Sequence, residues 1–238
     1  MARLDLDVLR RTPAYPFSEA AHYLVLPTTT LRAWCLGQDY EAADGKHRQF
    51  QALIKLDGSR AEGLSFLNLI EAHVLAAIRR LHGVPLPKVR DALAYVAREL
   101  GISRPLAAVK FQTDGVDLFI DELGHLVNVT RDGQLAIGAL MRAHLRRVQR
   151  DPEGVPIKLY PFTRKRVSIE NADPEPVEID PRVAFGRPVL VGRSVPTAVL
   201  ADRFKAGDSL QSLAEDYDAS TDQIEEAIRC ELDRRKAA

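Results

Sequence analysis

Histidine and cysteine are the side chains most able to hold a metal or attack a substrate, and their placement in this 238-residue chain does neither. His22, His47, His73, His82, His125 and His144 show no ligand spacing with Cys35 or Cys230, so no metal site is expected. The carboxylate pairs Asp121-Glu122 and Glu225-Glu226 are sequence neighbours, which point to different faces of a strand or helix and cannot share acid and base duties. No Gly-rich phosphate loop, nucleophile elbow or His-Glu-x-x-His stretch occurs. The expectation is a protein that is not an enzyme and takes no cofactor. What remains is cationic: Lys46, His47 and Arg48 beside an Asp44-Gly45 turn, the series Arg142, Arg146, Arg147 and Arg150, the run Arg164, Lys165 and Arg166, and the pair Arg187 and Arg193. Guanidinium and ammonium groups suit phosphate and carboxylate partners.

The charge is unevenly spread although the formal net charge is zero. Residues 1–110 hold 15 Lys/Arg against 11 Asp/Glu, residues 111–170 hold 9 against 8, and residues 171–238 hold 9 against 14. A basic head and an acidic tail suit a chain whose first part meets phosphate and whose last part binds a partner. Hydrophobic residues at 46% and charged residues at 28% place it among globular proteins, away from disorder and fibre. The apolar stretch from Phe66 to Leu81 is broken by His, Glu and Arg, too polar to span a bilayer. The N-terminus has no continuous apolar core of a secretory signal. With two distant cysteines and no disulfide framework, a reducing cytoplasm is the expected compartment.

Two short helices are expected at Ser18 to Leu24 and Thr28 to Trp34, with Ser18 and Thr28 as N-caps and Leu26 and Pro27 in the turn. Helix, tight turn and helix form the unit that lays a recognition helix in the major groove. Asp39 to Asp57 reads as an irregular hairpin or wing. Apolar spacings of three and four predict helices from Phe66 to Leu81, with His73 as a core imidazole, and from Val89 to Leu100, closed by Gly101. From Phe111 the period becomes two, through Val116, Leu118, Ile120, Val127, Val129, Leu135 and Ile137, with turn signals at Gly124 and Asp132-Gly133, which predicts an antiparallel meander. A basic helix from Gly138 to Arg150 and a strand from Ile157 to Phe162 follow. Asn171 to Pro181, rich in Pro, Asp and Glu, reads as an extended linker. A hairpin-like stretch from Phe185 to Pro196 then leads into three helices, the last with a Ser220/Gln223 capping box. The expected fold class is mainly α with a small antiparallel β middle. It comprises a winged helix-turn-helix head over 1–103, an α+β middle over 104–170, a linker over 171–180 and a trihelical, helix-turn-helix-like tail over 181–238.

The stretches Tyr15-Pro-Phe-Ser-Glu-Ala-Ala21, Pro27-Thr-Thr-Thr-Leu-Arg-Ala-Trp34 and Leu81-His-Gly-Val-Pro-Leu-Pro-Lys-Val-Arg90 resemble, in order and spacing, the DNA-binding domain of MerR-family regulators over roughly residues 15–100. The resemblance implies that Thr28, Thr29 and Arg32 face the groove or its phosphates, that Trp34 packs beneath, and that Lys46 and Arg48 of the wing lie on the DNA backbone. Arginine forks onto phosphate or guanine and short threonine hydroxyls permit close approach. The strand pattern from Phe111 departs from the long dimerising helix of metal- and drug-sensing members.

The elements Gly186-Arg-Pro-Val189, Gly192-Arg-Ser-Val-Pro196 and Ala214-Glu-Asp-Tyr217 are similar to the domain-of-unknown-function family 433 over about residues 179–234. Such domains are often found in antitoxins paired with PIN-like ribonuclease toxins, and a MerR-like head joined to this tail resembles VapB-type antitoxins. The resemblance implies an antitoxin of a type II toxin-antitoxin pair that represses its own operon on double-stranded operator DNA and neutralises a PIN-like ribonuclease toxin. A homodimer is expected on physical grounds, because two half-sites double the phosphate contacts and fix their spacing. Inhibition would send a cation into an acidic, metal-binding nuclease site, with Arg164, Lys165, Arg166, Arg187 and Arg193 as candidates. The alternative is a stand-alone MerR-like transcription regulator whose middle meander binds a small effector.

Overall fold

The computed structural model describes residues 3–41, 47–79, 85–127, 130–163 and 175–232. Helices α1 (Arg3–Arg11), α2 (Phe17–Tyr23) and α3 (Thr28–Leu36) precede a hairpin of β1 (Gln38–Glu41) and β2 (His47–Phe50), in which Gln38 faces Phe50 and Glu41 faces His47. Next come α4 (Phe66–Arg79) and α5 (Leu86–Leu100). Gly101, at φ +63°, ends α5 in the left-handed conformation, its N–H bonded to the Arg98 carbonyl. Residues Phe66 to Ala77 of α4 are buried all round, which makes it the axis of the fold: α1, the Arg131–Arg146 helix, the Pro105–Ala107 turn and the Pro156–Leu159 strand pack about it. His73 is buried there, bonded through Nε2 to the His144 carbonyl at 3.0 Å and stacked on Phe162.

The expected meander is helical. Residues 111–127 and 130–146 hold a π turn (Phe111–Gly115), α6 (Val116–Leu126) and α7 (Arg131–Arg146), and Val129 lies outside the described residues. The buried set in α6 is Val116, Phe119, Ile120 and Leu123, which is one helix face. Gly124 and Gly138 are packing residues: a Cβ on Gly124 would lie 2.6 Å from the Gln134 side chain, and one on Gly138 would lie 2.8 Å from Ile120. Asp132-Gly133 opens α7, where the Thr130 hydroxyl accepts the Gly133 N–H at 3.2 Å. The antiparallel strands of the middle are instead β3 (Val148–Arg150) and β4 (Pro156–Leu159).

In the tail, α8 (Thr197–Ala206), α9 (Leu210–Asp216) and α10 (Thr221–Leu232) match the three expected helices. The Ser220/Gln223 capping box is formed, with reciprocal bonds of 3.0 and 3.2 Å. The hairpin-like reading of residues 185–196 holds in part, since Val189 bridges Pro196 antiparallel and the Leu190 N–H reaches the Val195 carbonyl at 2.8 Å, while β6 (Val189–Leu190) takes a second partner, β5 (Val177–Glu178), from the expected linker. Residues 176–180 are buried, not extended into solvent. Val177 joins the tail core of Leu190, Leu200, Leu213, Ile224 and Ile228, while Ile179 joins the larger core and exchanges N–H···O bonds of 2.8 and 3.0 Å with Leu159. That larger core runs unbroken from Tyr15 through Phe111 to Leu159, so the expected division at residue 103 falls inside it. The described residues are mainly helical with small antiparallel pairs. Among the described residues no helix is long and apolar enough to cross a membrane.

Candidate nucleic-acid interface

Prolines, not hydroxyls, start both head helices: Pro16 caps α2 and Pro27 caps α3, with no side-chain cap bond, so Ser18 and Thr28 fall inside their helices. The turn between them closes with Val25 N–H on the His22 carbonyl and Leu26 N–H on the Ala21 carbonyl. This is the Schellman pattern, here with Val25 at φ +54° where glycine is usual. Leu31, Trp34 and Cys35 of α3 are buried, and Trp34 has no exposed surface. Burial pushes the Cys35 thiol up to about 12, which leaves it an inert packing group.

The opposite face of α3 is open. Thr29 and Arg32 are exposed and Thr28 is half-buried; Thr29 and Arg32, three residues apart, share one side of the helix. The Arg32 guanidinium lies 5.1 Å from the centre of the Phe17 ring and has no carboxylate within ion-pair distance among the described residues. A ring face steadies the cation without neutralising it. At the far end of α3, Gly37 sits at φ +74°, and a Cβ there would lie 2.6 Å from the Phe50 carbonyl. Only glycine lets the hairpin fold back this tightly. The Trp34 carbonyl accepts N–H bonds from Leu53 at 2.7 Å and Ile54 at 3.0 Å, tying the segment after the hairpin to α3. His47 is exposed on β2, Arg48 lies opposite Tyr40 in the strand with its side chain outside the described set, and Lys46 lies outside the described residues.

The other basic series divides: Arg142 and Arg146 are exposed on α7, with Arg142 paired to Asp117, while Arg147 and Arg150 turn inward. Arg147 is buried over the Phe162 ring and donates to the Tyr160 carbonyl at 3.3 Å. Arg150 donates to Gln112 and to the carbonyls of Ala107 and Gly154. Neither offers itself to phosphate. Among the candidate partner cations, Arg164, Lys165 and Arg166 lie outside the described residues. Arg193 is committed within the tail, donating through Nε to the Tyr217 and Asp218 carbonyls and through its terminal nitrogen to the Asp218 carboxylate at 2.8 Å. Arg187 is exposed.

Sequence patterning did not single out Phe185. It is 94% exposed, on a turn where Ala184 (φ 48°) and Phe185 (φ 57°) are both left-handed, a conformation that costs a non-glycine residue on the order of 1 kcal/mol or more. Periodicity cannot flag a lone projecting aromatic. The turn abuts the head: Gly186 packs on the Tyr15 ring, Arg187 lines a cavity with Glu19 and Tyr23 of α2, and His22 bonds the Cys230 carbonyl of α10. The second helix-turn-helix, α9–α10, exposes Asp216, Asp222 and Glu225, a charge that repels a phosphate backbone. Among the described residues no group of three or more His, Cys, Asp or Glu could hold a metal ion.

Residues 13–93 match a family model described as "Putative DNA-binding HTH domain". The matched stretch contains the α2–turn–α3 unit. Residues 177–229, which hold the β5–β6 pair and the tail helices, match the family described as "Protein of unknown function (DUF433)". The chain is 28% identical over 241 residues to "Putative antitoxin VapB45" of Mycobacterium tuberculosis, covering 94% of this chain and 96% of that one. It is 27% identical over 235 residues to "Uncharacterized protein Rv2308" of the same organism, covering 95% and 94%. The crystal structure of Rv2018 from Mycobacterium tuberculosis shares the fold of 91% of this chain and 97% of its own, with a TM-score of 0.64 and 24% identity. The two sequence alignments run across both matched stretches of this chain.

Proposed function

We propose that this chain is the antitoxin of a type II pair, which represses its own operon as a homodimer and neutralises a PIN-like ribonuclease. The observation that carries the reading is the open Thr29–Arg32 face of α3, presented by a helix whose other side is locked into the core. Its place in a domain matched to DNA-binding helix-turn-helix proteins, and the end-to-end alignment with a relative named as an antitoxin, support the rest. In this reading the head is MerR-like. Thr28, Thr29 and Arg32 enter the major groove, while Arg48 and Lys46 follow the phosphates. On the tail, Arg187 supplies the cation for an acidic nuclease site and Phe185 the aromatic anchor beside it, the residue types that dominate protein interfaces. Arg164, Lys165 and Arg166 are further cationic candidates, whereas Arg193 already serves the α9–α10 turn.

The test uses the full chain with DNA from upstream of its own reading frame and with the nuclease encoded beside it. Specific retention of that DNA over a scrambled duplex, together with suppressed ribonuclease activity, is the expected result. A chain that ignores both sinks the reading. The alternative regulator loses the element assigned to its effector, since residues 111–126 and 131–146 are helical in place of the meander.

A further inference from the structure

A cleft of about 620 Å³ opens between residues 53–57, α5 and the turn at 103–106, within the size range of small-molecule sites. Its apolar wall is made by Leu53, Leu56, Leu93, Ala94, Ala97 and Leu106. Its carboxylates are already engaged. Asp57 accepts two bonds from the Arg104 guanidinium, at 2.8 and 3.0 Å. Glu71, 6% exposed, accepts the Asn68 amide at 3.0 Å and lies 3.7 Å from Arg104. Three further cations line the same cleft: Arg11 is paired with Asp7 and Asp57, whereas among the described residues Lys55 and Arg90 have no carboxylate within ion-pair distance. An apolar wall facing two uncompensated cations calls for an anion with a hydrocarbon body, held by charge-assisted bonds in a partly desolvated space.

We propose that this cleft binds an organic anion carrying an apolar body, and that α3 senses its occupancy. The route is short. Leu53 and Lys55 line the cleft, and the N–H groups of Leu53 and Ile54 hold the Trp34 carbonyl in the last turn of α3. A ligand seated against Leu53, Lys55 and Leu56 therefore bears on the segment that fixes the end of the recognition helix. Binding requires neither DNA nor a nuclease, so it stands apart from the antitoxin reading.

The experiment titrates the full chain with 1-anilinonaphthalene-8-sulfonate and, separately, with its uncharged analogue N-phenyl-1-naphthylamine. One saturable sulfonate site per chain is expected. The double variant Lys55→Ala/Arg90→Ala should bind the sulfonate at least tenfold more weakly and the neutral analogue unchanged, while Arg98→Ala, on the exposed side of α5, should behave as wild type. Ala94→Phe, a substitution at an exposed helical position, fills the cleft and should exclude both probes, which tests the site independently of the charge variants. Decanoate, added to the unlabelled protein, should shift the emission of Trp34, the single tryptophan. Equal sulfonate affinity in wild type and double variant, or in Ala94→Phe, overturns the site. Unchanged Trp34 emission at saturating decanoate overturns the sensing by α3.

Discussion

Arg32 carries a full charge on an exposed helix face with an aromatic ring beneath it, the setting in which a guanidinium can release counterions from DNA. Replacing Arg32 and Lys46 together by alanine should weaken binding to the upstream duplex and flatten the plot of log affinity against log salt by about two units. Fluorescence anisotropy across a salt series reads both, and an unchanged slope places the phosphates elsewhere. Glu71 makes a prediction of a different kind. Burial raises its carboxyl from 4.5 to about 7, against the opposing pull of Arg104 and Asn68. The folded state thus holds a proton that the unfolded chain has released, and the stability this contributes is complete below about pH 4.5 and lost as pH rises through about 7. Glu71→Gln, which cannot ionise, should gain on the wild type between about pH 4.5 and pH 7 by on the order of 1 kcal/mol per pH unit, and keep that gain without adding to it above pH 7. Urea unfolding at several pH values measures it; parallel curves would show that Glu71 does not titrate there.

At the scale of elements, the contact of α6 with α7 depends on two glycines that leave room for Ile120 and Gln134. Gly138→Leu should push the helices apart and cost about 1–3 kcal/mol, seen as a lower denaturation midpoint, while an unaltered midpoint would mean the contact is slack. Glycines also explain why the middle reads as strand in the sequence. Gly124 and Gly133 look like turn residues, and Val116, Leu118 and Ile120 alternate, yet the burial that decides the matter follows Val116, Phe119, Ile120 and Leu123. Leu118 is only half-buried, so one apolar residue off the helix face was enough to imitate a strand. Strong local signals were readable. The α4 and α5 stripes, the Gly101 cap, the Ser220/Gln223 box and the α2–α3 turn all depend on residues close in sequence. The open α3 face was legible because Leu31, Trp34 and Cys35 define its buried side. The α1 contact, in which Arg10 reaches Asp151 at 3.2 Å across most of the chain, left no local trace. Nor did Arg147 and Arg150, whose carbonyl partners turn an apparent basic surface into internal scaffolding.

Across the whole molecule, the tail is seated on the head through Gly186 and Tyr15. A Cβ on Gly186 would lie 2.4 Å from the Tyr15 hydroxyl, which is buried without a hydrogen-bond partner among the described residues. Gly186→Ala should therefore lower the melting temperature. Tyr15→Phe alone should be near neutral, because it removes an unsatisfied group. In the double variant the penalty of the alanine should shrink, leaving only the strain of φ +75°. Additive losses in that thermodynamic cycle would show that the two residues do not touch.

The buried passage at 176–180 governs how this protein can be dissected. A truncation that stops before it leaves the Leu159 amide and carbonyl without the Ile179 groups that satisfy them, and opens a greasy socket in what remains. A fragment that starts after it takes away Val177 and strips β6 of its neighbour. Neither half is self-sufficient when cut where proline and acidic residues invite the scissors, so a workable head must carry its stop codon beyond Asp180, and a workable tail must begin ahead of Val177.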